Sequence, residues 1–224
     1  PAKMLRSGAT SLNVAFALPN IVRDQLSAAV NSKYGGIPIY DFISGLSSVI
    51  GKDDSYKKWI MSGADQASFF AQDRTTLQRG VKDITGGAAY KVGKYVKSPL
   101  ELFRVIGEFS EKGSRVGVYK RAEKGAMKEW GNMADATLGA AKESREATID
   151  FARRGSKMKA ANSLIPFLNA RLQGTLKLSN SFKERPVQTG AIGMAIAGPP
   201  AAALYIHNSE YPEYAEIPDY IKRE

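Results

Sequence analysis

Cysteine is absent from this 224-residue sequence, and histidine occurs once, as His207. Without cysteine the chain has no disulfide, no thiol nucleophile and no cysteine-ligated metal site. A single histidine also excludes metal sites built from several histidines and argues against serine–histidine catalysis. We therefore expect no metal and no cofactor.

Motifs of catalysis and of nucleotide binding are missing as well. The sequence contains no GxxxxGK[ST] phosphate loop, no HExxH and no GxSxG. Gly86-Gly87 lacks the third glycine and the preceding strand of a dinucleotide-binding turn. The adjacent carboxylates Asp53 and Asp54 stand where a helix begins, which is typical of caps rather than of a converging acid–base pair. We therefore predict that this segment is not an enzyme.

Basic residues outnumber acidic ones, 32 to 22, and the excess lies in the middle of the chain. Residues 91–185 carry 20 Lys and Arg against 10 Asp and Glu, whereas residues 186–224 carry 2 against 5. Such a basic region is typical of contact with nucleic acid, an anionic membrane or an acidic neighbour, but the interleaved acids are equally typical of solvated helix faces. If DNA is a partner, the candidate contacts, whose spacing spreads them over several faces, are Lys112, Arg115, Lys120, Arg121, Lys124 and Lys128.

One long segment, residues 186–206, carries no charge, and its apolar core from Gly190 to Ile206 is 17 residues long. That length is at the lower limit for a membrane span of roughly 17–25 residues. A proline pair removes backbone donors and clashes with the preceding turn. We therefore predict two helical pieces packed against this protein or a neighbouring copy, with membrane insertion as the alternative. The residues on which this prediction depends are Gly190, Gly193, Ala195, Gly198, Pro199 and Pro200.

Helix-boundary residues recur along the first part of the chain. Pro19-Asn20 is expected to open a first helix, and Pro38 a second one that ends at Gly51. Asp53 is expected to cap a third helix. Apolar residues recur between these boundaries at helical spacing, and clear strand–turn–strand patterns do not occur.

The middle of the chain predicts longer helices. Ser98-Pro99 combines a capping hydroxyl with proline at the first helical position and predicts a helix of about thirty residues that ends at Trp130. Two further helices are predicted, from about Met133 to Phe151 and from Asn162 to Lys183.

These patterns together predict an all-α protein with long antiparallel helices, a Gly-rich hinge near residues 80–97 and an Ala/Gly-rich C-terminal helical segment. Gly113 and Gly117 lie four residues apart in the longest helix. Each interior glycine costs up to about 1 kcal/mol relative to alanine, so close packing of a second helix is the expected compensation. The predicted regions are residues 1–97, 98–185 and 186–224.

Two stretches form a distinctive motif: ATIDFARRG at 147–155 and SLIPFLNARLQG at 163–174. Taken alone, they predict a helical corner in which an Asp–Arg clamp and Asn and Gln side chains satisfy buried backbone groups. We expect Asp150 to pair with Arg153, Arg154 or Arg171, and Phe151 and Phe167 to be buried together. The motif residues are Asp150, Phe151, Arg153, Arg154, Pro166, Phe167, Asn169, Arg171 and Gln173.

The motif resembles the α-helical "large polyvalent protein-associated" domain of the very large internal virion proteins of tailed phages. That family carries Thr-x-Asp-Phe-x-Arg-Arg-Gly and then Ile-Pro-Phe-x-Asn-Ala-Arg-x-Gln-Gly, which this sequence matches from Thr148 to Gly155 and from Ile165 to Gly174. Leu18–Asp24 resembles the family's front end. Tyr211–Tyr220 resembles its Pro-x-Tyr-x-x-Leu-Pro-Asp-Trp ending, with Ile and Tyr in place of Leu and Trp.

The resemblance implies a structural and assembly segment of a large internal virion protein that takes part in genome ejection into the host. It implies location in the virion and, after infection, in the host periplasm and inner membrane. The implied partners are other copies, other ejection proteins, phage DNA without sequence preference and, transiently, the host membrane. The alternatives are a sequence-independent DNA-binding module and a membrane-inserting segment of an envelope-crossing channel. Because the chain does not begin with Met, we expect it to be a piece of a longer protein.

Overall fold

The structure is a computed structural model that describes most, but not all, of the chain. It describes residues 14–67, 99–150 and 168–218 and five isolated positions, with side chains from Ile21 onward in the first range and from Val105 onward in the second. The described residues form α-helices and one 3-10 turn and contain no strand, which confirms the all-α prediction. The expected hinge near residues 80–97 lies outside them. The isolated positions are Arg153, Met158, Ala161, Ile165 and Lys222.

The helices follow one another in a simple order. In that order they are α1 (Val14–Asn31), α2 (Pro38–Gly51), α3 (Asp54–Met61), α4 (Pro99–Trp130), α5 (Met133–Glu146), α6 (Leu168–Glu184), α7 (Pro186–Ser209) and α8 (Pro212–Glu216), with the 3-10 turn at Ala64–Ala67. The predicted bounds of α2 and the predicted span of α4 are confirmed.

Local sequence explains how the first helices begin and end. Pro38 lies in the first turn of α2, where a missing N–H costs nothing. The helix is followed by Lys52, whose backbone is in the left-handed conformation with φ 50°. Asp53 caps α3 as predicted, because its Oδ1 accepts a hydrogen bond from the backbone N–H of Tyr56 at 2.9 Å. Gly35, with φ 70°, turns the chain between α1 and α2.

Three predicted boundaries are wrong. Helix α1 does not open at Pro19 but runs through it from Val14. Helix α7 is one continuous helix with Pro199 and Pro200 inside it, not two pieces. Because the fixed φ of proline is itself helical, each of these prolines forfeits a backbone hydrogen bond without forcing the chain out of the helix, and the ladder on either side continues. Helix α5 ends at Glu146 and not near residue 151, because side chains from other helices supply hydrogen bonds to the backbone carbonyls at its end.

Helices α2 and α4 cross with their backbones in contact. A Cβ atom at Gly45 would overlap the backbone of Gly113 and Gly117, and one at Gly117 would overlap the backbone carbonyl of Asp41. This confirms the close approach that the spacing of Gly113 and Gly117 predicts. Arg121 fastens the crossing through two hydrogen bonds to the Asp41 carboxylate, at 2.6 and 2.8 Å.

An aromatic core lies between α3, α4 and α5. Trp59 is fully buried, and its Nε1 donates a hydrogen bond to the Ser144 hydroxyl at 2.8 Å. Ser144 donates in turn to the backbone carbonyl of Arg115 at 2.9 Å, so the three helices share one hydrogen-bond chain. Tyr56 stacks on Trp59 with ring centroids 5.9 Å apart. The remaining core residues are Val49, Ile60, Ala64, Val116, Tyr119, Ala122, Ala140 and Ala141.

The chain divides into two compact units, residues 1–181 and residues 182–224. The boundary lies close to the one predicted between residues 185 and 186. The first two predicted regions pack into a single unit, because α2 crosses α4 directly. In the second unit, the ring of Tyr205 in α7 contacts that of Tyr214 in α8 edge-on, with centroids 6.3 Å apart.

The glycine crossing predicts opposite outcomes for two Gly→Ala changes. Gly117→Ala should lower the free energy of unfolding by about 1–3 kcal/mol, because the new methyl group collides with the backbone of α2. Gly51→Ala is the control: nothing lies within 4 Å of its added Cβ, so helix propensity alone should leave stability unchanged or raise it by up to about 1 kcal/mol. Urea denaturation of both variants measures the difference. Equal effects would contradict the crossing.

Candidate functional site

The chain leaves α5 at Glu146 and continues without helical structure from Ala147 to Asp150, within the first half of the two-part motif. The last carbonyls of a helix lack donors within it, and burying such groups unpaired costs roughly 1–3 kcal/mol each. Donors come here from the side chains of other helices. We call residues 144–150 and Arg153 the capped corner.

Arg115 of α4 caps the corner from one side. Its side chain is fully buried. The guanidinium donates to the backbone carbonyls of Ser144 and Arg145, both at 3.5 Å, and of Ile149 at 2.8 Å. It also reaches the carbonyl of Ala67 in the 3-10 turn, at 3.2 Å. The planar, always charged guanidinium has enough donors to hold three separate segments at once.

Two carboxylates lie near this buried cation. Glu111, one turn earlier in α4, pairs with Arg115 at 3.1 Å, and both side chains are almost completely buried. Burial and the charge of Glu111 raise the pKa of Asp24 in α1 to about 7, while Arg23 and Arg115 oppose that rise. Asp24 therefore changes its charge near neutral pH.

Helix α6 caps the corner from the other side. The side-chain amide of Gln173 forms two hydrogen bonds with the backbone of Asp150. Its Nε2 donates to the Asp150 carbonyl at 2.9 Å, and its Oε1 accepts from the Asp150 N–H at 3.2 Å. The same Nε2 donates to the carbonyl of Arg153 at 3.0 Å, and Asn169 Nδ2 donates there at 3.3 Å. The buried residues of α6 recur every fourth position and are Asn169, Gln173, Lys177 and Ser181.

Two more side chains complete the corner. Lys177 donates to the backbone carbonyls of Glu146, at 2.9 Å, and Thr148. Burial lowers the pKa of Lys177 to about 8. Asn31 of α1 donates to the carbonyl of Ala147 at 3.5 Å. Every backbone carbonyl from residue 144 to residue 150 therefore accepts a hydrogen bond from a side chain, which is why the chain can leave the helix at that point.

The predicted corner is confirmed for the Asn and Gln side chains. Among the described residues, Asp150 forms an ion pair with Arg145, at 3.2 Å, and Arg153 contacts Asp150 through its backbone N–H, also at 3.2 Å. The expected pairing of Asp150 with Arg154 lies outside the described residues. The guanidinium of Arg153 pairs with Glu146, and Arg171 is exposed. The helical spacing from Asp150 to Arg153 does not apply, because α5 has already ended. The motif residues outside the described part of the chain are Phe151, Arg154, Pro166 and Phe167.

Sequence reasoning missed the two cations that cap the corner. Arg115 is among the candidate DNA contacts, although Gly113 and Gly117 on either side of it mark a face on which another helix packs. Lys177 continues the four-residue spacing of Asn169 and Gln173, and that repeat would have placed it on the same buried face.

Four of the six cations proposed to contact DNA are engaged in contacts within the fold. Arg115 and Arg121 make the contacts described above, and Lys112 pairs with Glu108 at 2.7 Å. Lys120 donates to a backbone carbonyl of α2 at 3.2 Å and to a hydroxyl of the same helix at 2.9 Å. The two with exposed side chains are Lys124 and Lys128.

Helix α7 is apolar and largely exposed. Its 24 residues include no Asp, Glu, Lys or Arg, and only Thr189 is buried. Its length and composition are those of a helix able to cross a membrane: an 18-residue window has a mean hydropathy of 1.3 and is 6% buried. Buried core helices of water-soluble proteins have similar compositions, but this helix is exposed. Its small and proline residues that were singled out from the sequence are Gly190, Gly193, Ala195, Gly198, Pro199 and Pro200.

Comparison of the chain with protein-family models, with curated proteins and with solved structures finds no match. Within the described part of the chain, no group of three or more His, Cys, Asp or Glu is arranged to hold a metal ion.

Removing the buried guanidinium should be costly. Arg115→Met keeps the length of the side chain but removes the charge that pairs with the buried Glu111 and the donors to several carbonyls, so we expect a loss of about 3–5 kcal/mol in the free energy of unfolding. Adding Glu111→Gln should recover part of it. Arg153→Met is the control, because its pair with Glu146 is exposed and should contribute about 0–1 kcal/mol. Urea denaturation at pH 7 checks this, and equal losses for Arg115→Met and the control would contradict the capping role.

Asp24 predicts a pH dependence of stability. Its pKa is higher in the folded protein than in the unfolded chain, so the folded state binds more protons between about pH 4 and pH 7. The resulting stability is complete below pH 4 and is lost as the pH rises to about 7. Asp24→Asn should remove this slope and, at pH 8, raise the free energy of unfolding by on the order of 2 kcal/mol. Unfolding curves at pH 5 and pH 8 test it; parallel slopes in the two proteins would contradict it.

Proposed function

We propose that this chain is a structural and assembly segment of a large internal virion protein of a tailed phage, acting in delivery of the genome into the host. The observation that carries the proposal is helix α7, whose charge-free surface is largely exposed. An apolar surface of this kind marks a site that another protein or a membrane covers. The family resemblance supplies the virion context.

The capped corner supports a structural role. The motif residues that the structure describes and buries, Asp150, Asn169 and Gln173, form hydrogen bonds to backbone groups within the corner. A fully satisfied buried polar network specifies one arrangement of the elements that share it. The motif on which the resemblance rests therefore fits a scaffold that holds α4, α5 and α6 in fixed positions.

Insertion of α7 into the host membrane is a second candidate, favoured by its flanks. At about 1.5 Å per residue the helix spans roughly 36 Å, enough for a hydrocarbon core of about 30 Å. Lys183, Glu184 and Arg185 precede it, whereas Glu210, Glu213 and Glu216 follow it. An excess of Lys and Arg at one end is typical of a span whose N-terminal end stays on the cytoplasmic side.

Sequence-independent DNA binding has less support. Most of the proposed contact residues are engaged within the fold, and Lys124 and Lys128 alone keep exposed side chains. Two cations supply little of the counterion release on which such binding depends.

The main proposal predicts where the protein is found. Mass spectrometry of purified particles of the phage that encodes the chain should detect its peptides, and after infection those peptides should appear in the envelope fraction of the host. Particles that lack the protein would contradict the proposal. An unrelated capsid protein, which stays outside the cell, is the control for the envelope fraction.

The membrane candidate predicts flotation with vesicles. The wild-type chain should float with vesicles of phosphatidylethanolamine and phosphatidylglycerol, and Ala195→Arg should abolish flotation, because a charge at the centre of a span costs about 2.5–3.5 kcal/mol or more. Leu138→Arg, on the exposed face of α5, is the matched control and should float normally. Equal flotation of the Ala195→Arg variant would remove this candidate.

A further inference from the structure

Helix α2 buries more polar residues than an ordinary surface helix does. Its buried residues are Asp41, Gly45, Ser48 and Val49, of which Val49 alone is a large apolar residue. Its outer face carries Ile39 and Ile43, 71% and 59% exposed. A surface helix normally turns its apolar stripe toward the core and its polar residues toward water. The outer face of α2 therefore has the composition of a buried surface.

The spacing on that face is that of a helix-pairing seam. Ile39, Ile43 and Ile50 follow one another at intervals of four and seven residues, which are the d, a and a positions of two heptads. Leu46, at the d position between Ile43 and Ile50, is half-buried beside Gly113 of α4. We call the three exposed isoleucines the α2 seam. The only charged residue of the helix, Asp41, lies on the other face and is paired with Arg121. No charge on α2 therefore opposes the approach of a second apolar helix.

We propose that the α2 seam of one copy receives helix α7 of a second copy in a head-to-tail contact. This proposal rests on the assembly function proposed above and names the surfaces that would carry it. Both helices present exposed apolar surface, and α7 brings no charge to the contact along its 24 residues. The contact would remove both surfaces from water together.

Charge complementarity supports this occupant and sets the direction of the two helices. Three lysines follow the C-terminal end of the α2 seam, together with Asp53, which caps α3, and Asp54, and three glutamates follow the C-terminal end of α7. If the two helices run parallel, these lysines and glutamates meet, whereas an antiparallel arrangement would bring the basic flank of α7 to the lysines. Lys57 pairs with Asp54 at 4.0 Å and Lys58 with Glu123 at 3.5 Å, and because the two lysine side chains are 40% and 46% exposed, these pairs oppose a new partner only weakly. The lysines are Lys52, Lys57 and Lys58, and the glutamates are Glu210, Glu213 and Glu216.

The geometry of such a contact has a consequence for assembly. Donor and receptor are different surfaces of one chain, so a copy that donates α7 still has a free seam and can accept another copy. Repetition of a heterologous contact closes into a ring when the rotation allows and otherwise extends as a filament. An isologous contact between two seams would stop at a dimer.

Two single variants separate donor from receptor. Ile43→Arg places a charge on the seam, and Ala195→Arg places one on α7; both positions are exposed, so neither change should unfold the protein. Leu138→Arg, on α5, is the control. By sedimentation velocity, the wild type and the control should associate with rising concentration. For each of the two test variants, the dissociation constant of self-association should rise by roughly 30-fold or more.

The decisive measurement is a mixture of the two variants. The Ile43→Arg copy keeps an intact α7, and the Ala195→Arg copy keeps an intact seam. Equimolar mixing should therefore restore one contact and give a 1:1 heterodimer that does not grow further. The charges can also be exchanged, by adding Lys57→Glu to the Ala195→Arg copy, which supplies the seam, and Glu213→Lys to the Ile43→Arg copy, which supplies α7. The two changes together should preserve the heterodimer, whereas either change alone should weaken it.

Several results would overturn the proposal. Association of Ile43→Arg at the wild-type level would show that the seam is not used. Association of Ala195→Arg alone would point to a seam-to-seam dimer, and a wild type that stays monomeric at every concentration would point to α7 bound elsewhere, including to lipid. None of these results bears on whether the protein is found in phage particles, so failure of this contact and failure of the proposed function remain distinguishable.

Discussion

A single buried guanidinium connects parts of the chain that lie far apart in sequence. Arg115 donates to the 3-10 turn, to the end of α5 and to the segment that follows it, and its charge is balanced within its own helix by Glu111. In a low-dielectric interior each of these bonds is strong and each missing one is costly. The position of α5 against α4, and with it the capped corner, depends on this one side chain.

Some helices of this fold bury polar side chains and expose apolar ones, which is the reverse of the usual arrangement. Helix α6 buries Asn169, Gln173 and Lys177, while Leu172 and Leu176 are 44% and 62% exposed, and α2 shows the same inversion. Asn169, Gln173 and Lys177 are tolerated in the interior because each donates to backbone carbonyls, and glycine lets α2 and α4 touch. The apolar side chains displaced to the outside are what an assembly needs, since they gain stability only when a neighbour covers them.

Local signals in the sequence were sufficient for much of the fold. Pro38, Gly51 and Asp53 act on their own helix ends, so the bounds of α2 and the cap of α3 are predictable from neighbouring residues. The spacing of Gly113 and Gly117 likewise predicts a helix crossing. The end of α5 was not predictable in this way, because the groups that stop it, Arg115 and Lys177, are remote in sequence. Among the site residues, Asn169 and Gln173 were recognised through the motif, whereas no local pattern distinguishes a capping arginine from a solvated one.

The capped corner also determines how short a folding fragment of this protein can be. Four carbonyls of the corner, those of Glu146, Thr148, Asp150 and Arg153, receive donors from α6. A polypeptide that stops before residue 168 would bury or expose these acceptors without partners, even though it retains α4, α5 and the aromatic core. The earliest workable C-terminus for an autonomous unit therefore lies after Lys177, well beyond the last residue of that core.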